Sequence, residues 1–434
     1  MINKLFSILF VISTTLNLIE AFKKCIISDE DPSLCTIIGV RDPNEMYGLN
    51  LISSKVQNSK ITKIKFNDSR IYHLPKELSL MFENLEDLDA SNVYLSRFTS
   101  MDFPYRNKLR KLNVSNNAIH ILPKRLTVKF DYLEVLDISY NLIDTIENES
   151  FTNKERLKYL NLSHNQIKVL NVDFLSAVRN VRSLNLGCNE ISEINLDCQD
   201  IDFKVKELYL NDNKLMSIQT CLIKNVAYFD IGNNKLIGEL GFLDSKIENL
   251  NIQGNSIESL NISRKVKVLD FSNNIGKSLK INFEEFSSLK TLKVSNLDVT
   301  DYKDLYPQLK MLNNLIILDI SHNNLKTFNF MDIPESIECL NLEKSNLKFL
   351  ENFDLLDIVV PNLNQININQ NLFNCKELTK LVENFEKFNI NVTGFTNENK
   401  DKFIRENCGN DENYDKKRTC NDGLLRETLK RYQT

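Results

Sequence analysis

The chain has no tryptophan, only four histidines and only eleven glycines. So few histidines leave few general bases and metal ligands, and His73, His120, His164 and His322 fall in separate segments. Paired His/Cys ligand spacings, a Ser-His-Asp grouping on turns and a glycine-rich phosphate loop are all missing, so nothing marks an enzyme, a metal site or a cofactor. An excess of one charge is missing too. Lys and Arg number 54 against 58 Asp and Glu, for a formal net charge of −4, which leaves no whole-chain nucleic-acid footprint. No apolar run reaches the ~20 residues needed to span a bilayer. The run from Leu5 to Ile12 follows Lys4 and is broken by Ser13, Thr14, Thr15 and Asn17 before Ala21. That layout is a secretory signal peptide, residues 1–21, cleaved near Ala21. The ending LLRETLKRYQT lacks the hydrophobic tail of a lipid-anchor signal. The expectation is a secreted, extracellular protein without a membrane span.

What the chain does have is a period. Leu133 to Ile143 reads L-x-x-L-x-L-x-x-N-x-I, and about fourteen such phrases open at Ile61, Leu85, Leu109, Leu133, Leu157, Val181, Val205, Val226, Ile247, Val266, Leu289, Leu315, Ile337 and Leu363. The first seven are spaced by 24 residues and the later ones by about 19 to 26. Positions four and six, such as Leu136 and Ile138, alternate with polar residues, the signature of a short strand with one buried face. Position nine is Asn in ten phrases (Asn141, Asn165, Asn189 and Asn213 among them), and its amide can satisfy backbone groups freed where the chain turns inward. Stacked strands of this kind make an α/β leucine-rich repeat solenoid, a horseshoe with a parallel sheet on its concave face. The Asn column fails at Ser69, Val93, Leu297 and Ser345. The last two predict a looser or differently curved coil.

An array must seal the apolar faces of its end repeats. Residues 22–60, with Cys25 and Cys35 bracketing a short loop, read as a disulfide-closed N-terminal cap. Residues 61–374 hold the repeats and 375–420 a C-terminal cap, closed by Cys375 and Cys408. There Leu378, Leu381, Val382 and Phe385 share one helical face. Residues 421–434 form a polar tail or short helix. Nine cysteines in a secreted chain imply disulfides and, being odd, one thiol without an intrachain partner. Cys198 and Cys221 sit at nearly equivalent places in adjacent coils, about one inter-strand spacing apart, which suits a disulfide; Cys188 is a rival partner for Cys198. Cys339 reads as a free thiol. Cys420 remains beyond the cap, exposed or available for an interchain bond to a disulfide-linked dimer.

The opening module ITKIKFNDSRIYHLPKELSLMFENLEDLDASNVYL, the Cys198/Cys221 pair and the cap LFNC-KELTKLVENF with Cys408 and Cys420 together resemble the secreted insect leucine-rich immune proteins, the mosquito complement-like factors. The resemblance covers most of the chain. It implies a non-catalytic protein of innate immunity whose protein partners include a thioester-type immune protein or a second leucine-rich repeat chain. Cys420 would then match the dimerising region. No heptad repeat follows the cap, which places the chain with the short, coil-less branch. The same motifs occur in Toll ectodomains and secreted adhesion proteins, so an adhesion or signalling ligand, or a salivary effector, is the alternative.

Strand positions three, five and eight should face the inner surface. The Asp/Asn column at position five (Asp89, Asp137, Asn161, Asn185, Asp230, Asn251, Asp270, Asp319) reads as the usual filler rather than as a cation site. More individual are Tyr140, Tyr159, Tyr209 and Tyr228 with His164, an aromatic group with the makings of a protein-binding hot spot. Among six N-x-S/T matches, at Asn67, Asn113, Asn148, Asn161, Asn261 and Asn391, those at Asn113 and Asn161 arise from the repeat phrase itself, whereas Asn148, Asn261 and Asn391 are expected off the inner face and are the better glycosylation candidates.

Overall fold

A computed structural model describes residues 25–41, 58–75, 78–103, 107–151, 155–196, 198, 202–274, 280–281, 286–297 and 306–407. The proposed signal peptide, Cys408, Cys420 and the 421–434 tail lie outside the described residues. The chain divides into two compact units, Met1–Val226 and Ala227–Thr434.

In the first unit a hairpin, Cys25–Ile27 against Leu34–Ile38, leads into the repeats, its second strand pairing in parallel with Lys63–Asn67. Six further strands follow in parallel, ending at Glu207–Tyr209. Their register is the sequence period made spatial. Leu112, Leu136, Leu160, Leu184 and Leu208 stand opposite one another in turn, each at most 1% exposed. Burial of one such side chain stabilises by about 1.5–3 kcal/mol, and the repetition makes the unit a stack of nearest-neighbour contacts.

Between strands the chain must cross back through a wider space, and phenylalanine fills it where tryptophan is absent. Phe103 meets Phe130 edge-on with centroids 4.8 Å apart, and Phe151 meets Phe174 at 5.4 Å. One crossing carries the helix Val172–Val178, begun by Asn171, whose Oδ1 accepts from the Phe174 amide at 2.8 Å. Cys198 and Cys221 are bonded in two such crossings, with Cα atoms 5.7 Å apart, so Cys188 is not the partner of Cys198. Cys25 and Cys35 are likewise bonded, across the opening hairpin.

The second unit has the same strand face, from Tyr228–Asp230 to Gln365–Asn367, with a final short strand Asn391–Val392. Its first crossings differ. The phrases opening at Val226 and Ile247, 21 and 19 residues long, return extended, and Ile237–Phe242, Ser256–Ile262 and Lys280–Ile281 form a parallel sheet of their own. The amphipathic helix Cys375–Lys387 buries Leu378, Leu381, Val382 and Phe385. Cys375 is disulfide-bonded.

The position-nine amides hold each turn. Asn141 Nδ2 donates to the Val114, Ile138 and Ser139 carbonyls at 3.0–3.1 Å, while its Oδ1 accepts from the Ile119 amide at 3.1 Å. Asn165 and Asn323 do the same for their neighbours. Ser345, expected to mark a loose coil, does not loosen its strand. Its hydroxyl donates toward the Ile320 and Glu343 carbonyls and its amide donates to Asn371 Oδ1, so a shorter side chain meets the same need. Strand Cys339–Asn341 keeps its register.

Asn141→Ala should remove four hydrogen bonds from a buried turn and lower urea-unfolding stability by about 2–4 kcal/mol. Lys168→Ala, an exposed change in the next coil, should stay within about 0.5 kcal/mol. At the N-terminal end, Asp31 accepts from Lys63 Nζ at 2.7 Å and from the Ser33 hydroxyl and amide. These bonds, Lys63 first, hold the Asp31 carboxyl down at about 2 from an ordinary 3.8. The tie is therefore complete above pH 3.8 and is lost as pH falls through about 2. Asp31→Asn should weaken the protein at neutral pH and flatten the decline of its urea midpoint between about pH 4 and pH 2. An unchanged acid limb would remove the assignment.

Candidate functional site

In the first unit each rung shows solvent, at least in part, the side chains of strand positions three and five and, just beyond the strand, position eight. Position five is occupied by structure. Asp137 Oδ1 accepts from the Ser139 amide at 2.9 Å and hydroxyl at 2.6 Å, and Asp89, Asn161 and Asp319 close the same turn with Ser91, Ser163 and Ser321. These oxygens fold the chain and are not presented to a ligand.

Position eight has a conformational demand that periodicity alone did not show. The backbone there is left-handed in rung after rung: φ is 54° at Asn116, 53° at Tyr140, 55° at His164, 54° at Cys188 and 54° at Asp212. The turn requires it, because this residue swings the following Asn into the interior while its own amide donates to the next rung, as Tyr140 does to the Ser163 carbonyl at 3.0 Å. Gly, Asn and Asp tolerate that conformation best. Asn92, Asn116, Asp212, Asn233, Asn273 and Asn296 follow the rule, and Gly254 goes further, since a Cβ there would lie 2.1 Å from Asn233 Oδ1. Six rungs depart from it: Tyr140, His164 and Cys188 in consecutive rungs of the first unit, and His322, Lys344 and Gln370 in consecutive rungs of the second.

Tyr140 and His164 stack, with ring centroids 4.0 Å apart and planes within 10°. Tyr140 is 52% exposed and His164 is exposed beside it. The Cys188 thiol donates toward Asp212 Oδ2 at 3.9 Å. The column thus runs from an aromatic pair through a thiol to a carboxylate, on a backbone fixed by hydrogen bonds.

The aromatic group is narrower than expected. Tyr159 is exposed at position three, opposite Val135 and Ser183, and Tyr209 is half-buried at position five, opposite Asn185. Both share the strand face with the stacked pair but stand in other columns. Tyr228, half-buried, belongs to the second unit. The signal that would have found the pair is negative: bulky residues where the turn prefers Asn.

Two stretches of the chain, residues 107–167 and 155–215, match the leucine rich repeat family model. They include Tyr140, His164 and Cys188. Similar solved structures include a leucine-rich repeat protein of Leptospira interrogans, with TM-score 0.64 and 19% identity over 83% of this chain and 89% of that one. The leucine-rich repeat domain of the mosquito protein APL1 gives 0.52 and 20% over 83% and 92%. Drosophila Toll, solved with Spätzle, gives 0.56 and 15% over 75% of this chain and 49% of that one, so the chain spans about half of it. The fold is a leucine-rich repeat solenoid. No curated protein matches the chain by sequence. At these identities the likenesses establish the fold alone. Among the described residues no helix is long and apolar enough to cross a membrane.

The sequon residues fall in different settings. Asn148 is exposed past a crossing, its Oδ1 accepting from Asn171, and Asn261 is exposed on the return sheet. Asn391 corrects its expected place. Its strand pairs with Gln365–Asn367, setting it opposite position three at the end of the strand face, where it remains exposed. Asn161 has its amide oxygen committed to the hydroxyl of its own sequon, Ser163. Peptide mass spectrometry of the protein expressed through a secretory pathway should find sugar at Asn148 and Asn261 and none at Asn161; sugar at Asn161 would argue against a binding role for the neighbouring Tyr159 and His164.

Proposed function

We propose that the protein is secreted and non-enzymatic, and that it binds another protein through its strand face in insect innate immunity, in the complement-like manner of the family it resembles. The observation that carries the binding site is the Tyr140–His164 stack. Two adjacent rungs hold large rings in a left-handed backbone where Asn would be easier, and leave them exposed. Recognition favours that choice, because rigid aromatic rings bury much area at little entropic cost. Two disulfides support an oxidising, extracellular setting. The domain limits of the sequence reading, with a leader at 1–21 and a cap at 375–420, fit the same protein. A thioester-type immune protein or a second leucine-rich repeat chain is the partner class, with Cys420 the candidate interchain link.

The test replaces both rings by the residue that flanking rungs use. Tyr140→Asn/His164→Asn keeps the turn's backbone preference, so the melting temperature should hold or rise slightly. Capture of extracellular proteins by the immobilised chain, read by non-reducing electrophoresis and identification of the bound species, should fall at least about tenfold. Undiminished capture would remove the site, and a protein retained inside expressing cells would remove the secreted reading.

A further inference from the structure

The rungs of Asn141 and Asn165 close their inward turns with one left-handed residue, at position eight. Where position nine is not asparagine, the turn is made differently. In the Leu85 rung Val93 stands there, and Asn117 Oδ1 of the next rung accepts from the Val93 amide at 3.0 Å and the Leu95 amide at 2.9 Å. The residue between these two amides is left-handed as well: Tyr94, at φ 67°. The Ile337 rung makes the same turn. Ser345 stands at position nine, and Asn371 Oδ1 accepts from the Ser345 and Leu347 amides at 2.9 and 3.1 Å. There the residue between them is Asn346, at φ 54°. Asparagine suits this backbone and tyrosine does not. Yet Tyr94 is 53% exposed, so its ring gains little from the core.

Tyr94 does not stand alone. Arg70 occupies the same position one rung earlier, and its guanidinium lies 5.2 Å from the centroid of the Tyr94 ring. Arg70 is exposed. Among the described residues its guanidinium makes no ion pair, since Asp68, two residues before it, pairs with Arg41 at 3.2 Å. Tyr72, two residues after Arg70, falls on the same outward side of the extended chain and is 61% exposed. Its carbonyl accepts from the Ser96 amide at 3.1 Å and the Ser96 hydroxyl at 3.2 Å. Two rings and a guanidinium are thus carried past the inward turn, off the strand face, on backbone tied from rung to rung.

The chemistry of these groups defines what they suit. A guanidinium offers its N–H donors in a fork that matches a carboxylate. Open tyrosine faces suit an aromatic or apolar side chain. A long polyanion would call for a row of cations, whereas Asp68 is exposed beside Arg70 and Asp144 is exposed on the same edge at the Leu133 rung. One fork between two rings fits a short, mixed motif.

We propose that Arg70, Tyr72 and Tyr94 bind a short acidic segment of another protein, with a carboxylate on the Arg70 fork and an aromatic or apolar side chain against the tyrosine rings. This surface is separate from the Tyr140–His164 site, and the proposal does not rest on the role given to that pair.

The test selects a displayed library of short random peptides on the immobilised full-length protein. The recovered peptides should be rich in Asp and Glu with an aromatic residue among them. One of them, synthesised with a fluorescent label, should lose at least about tenfold in affinity on Arg70→Glu or Arg70→Gln. Tyr94→Asn, which gives the turn the residue type that Asn346 supplies in its own rung, should cost at least about threefold while the melting temperature holds or rises. Tyr140→Asn/His164→Asn should leave the affinity as it is. No recovered peptide, peptides without an excess of acids, or an affinity that Arg70→Glu leaves intact overturns the proposal. An equal loss in Tyr140→Asn/His164→Asn overturns it too, because the peptide would then sit on the strand face. So does a heparin fragment that displaces the peptide and binds more tightly, since the surface would then serve a polyanion.

Discussion

Where the chain leaves a strand and turns inward, several carbonyls and an amide lose their sheet partners, and burying them unpaired would cost about 1–3 kcal/mol each. The position-nine asparagine meets that need from inside the coil. Its amide donates to the turn it stands in and to the preceding rung, and its oxygen accepts from that rung's return. Each rung with asparagine at position nine thus closes the turn of its neighbour, and hydrophobic burial follows from that closure. Leu136 and Ile138 can be buried because the backbone between them and Ile143 has been satisfied. The exceptions follow the same logic. Val93 needs no amide of its own, because Asn117 Oδ1 in the next rung takes the Val93 and Leu95 amides.

This constraint was legible because it needs one residue type at one spacing. The strands, their register and the Cys198–Cys221 bond all descend from the period, and each could be placed by counting. What could not be counted was any feature set by departures from it. The return sheet of the second unit begins in phrases of 21 and 19 residues, whereas the 21-residue phrase at Val205 returns through the helix Thr220–Ile223. Drift in spacing was visible, but whether a short return coils or extends depends on the crossing it must match alongside. Asn391 was misplaced because its strand pairs with Gln365–Asn367 without carrying the repeat phrase.

The proposed site was legible in part, for a related reason. Counting aromatic residues on outward positions found Tyr140 and His164 but joined them to Tyr159, Tyr209 and Tyr228, since a one-dimensional pattern cannot tell columns apart. The backbone separates them. Positions three and five are ordinary strand, where a tyrosine costs nothing. Position eight is left-handed, where a tyrosine is a poor choice.

That difference changes how much each residue says. A tyrosine on a strand is among the favoured residues for its backbone, so Tyr159 is explained whether or not anything binds there. A tyrosine at φ 53° is not. The stack on His164 recovers part of the cost, since an aromatic pair contributes about 0.5–1.5 kcal/mol beyond area. It cannot explain the exposure, because a pair serving stability alone would gain more by being covered. Asn116 and Asp212, on either side, show that the same turn closes with a small polar residue. The rings at rungs Leu133 and Leu157 are therefore a place on the first unit where the fold's own preferences are overridden in the open, and the exposed Tyr94, at φ 67°, is another.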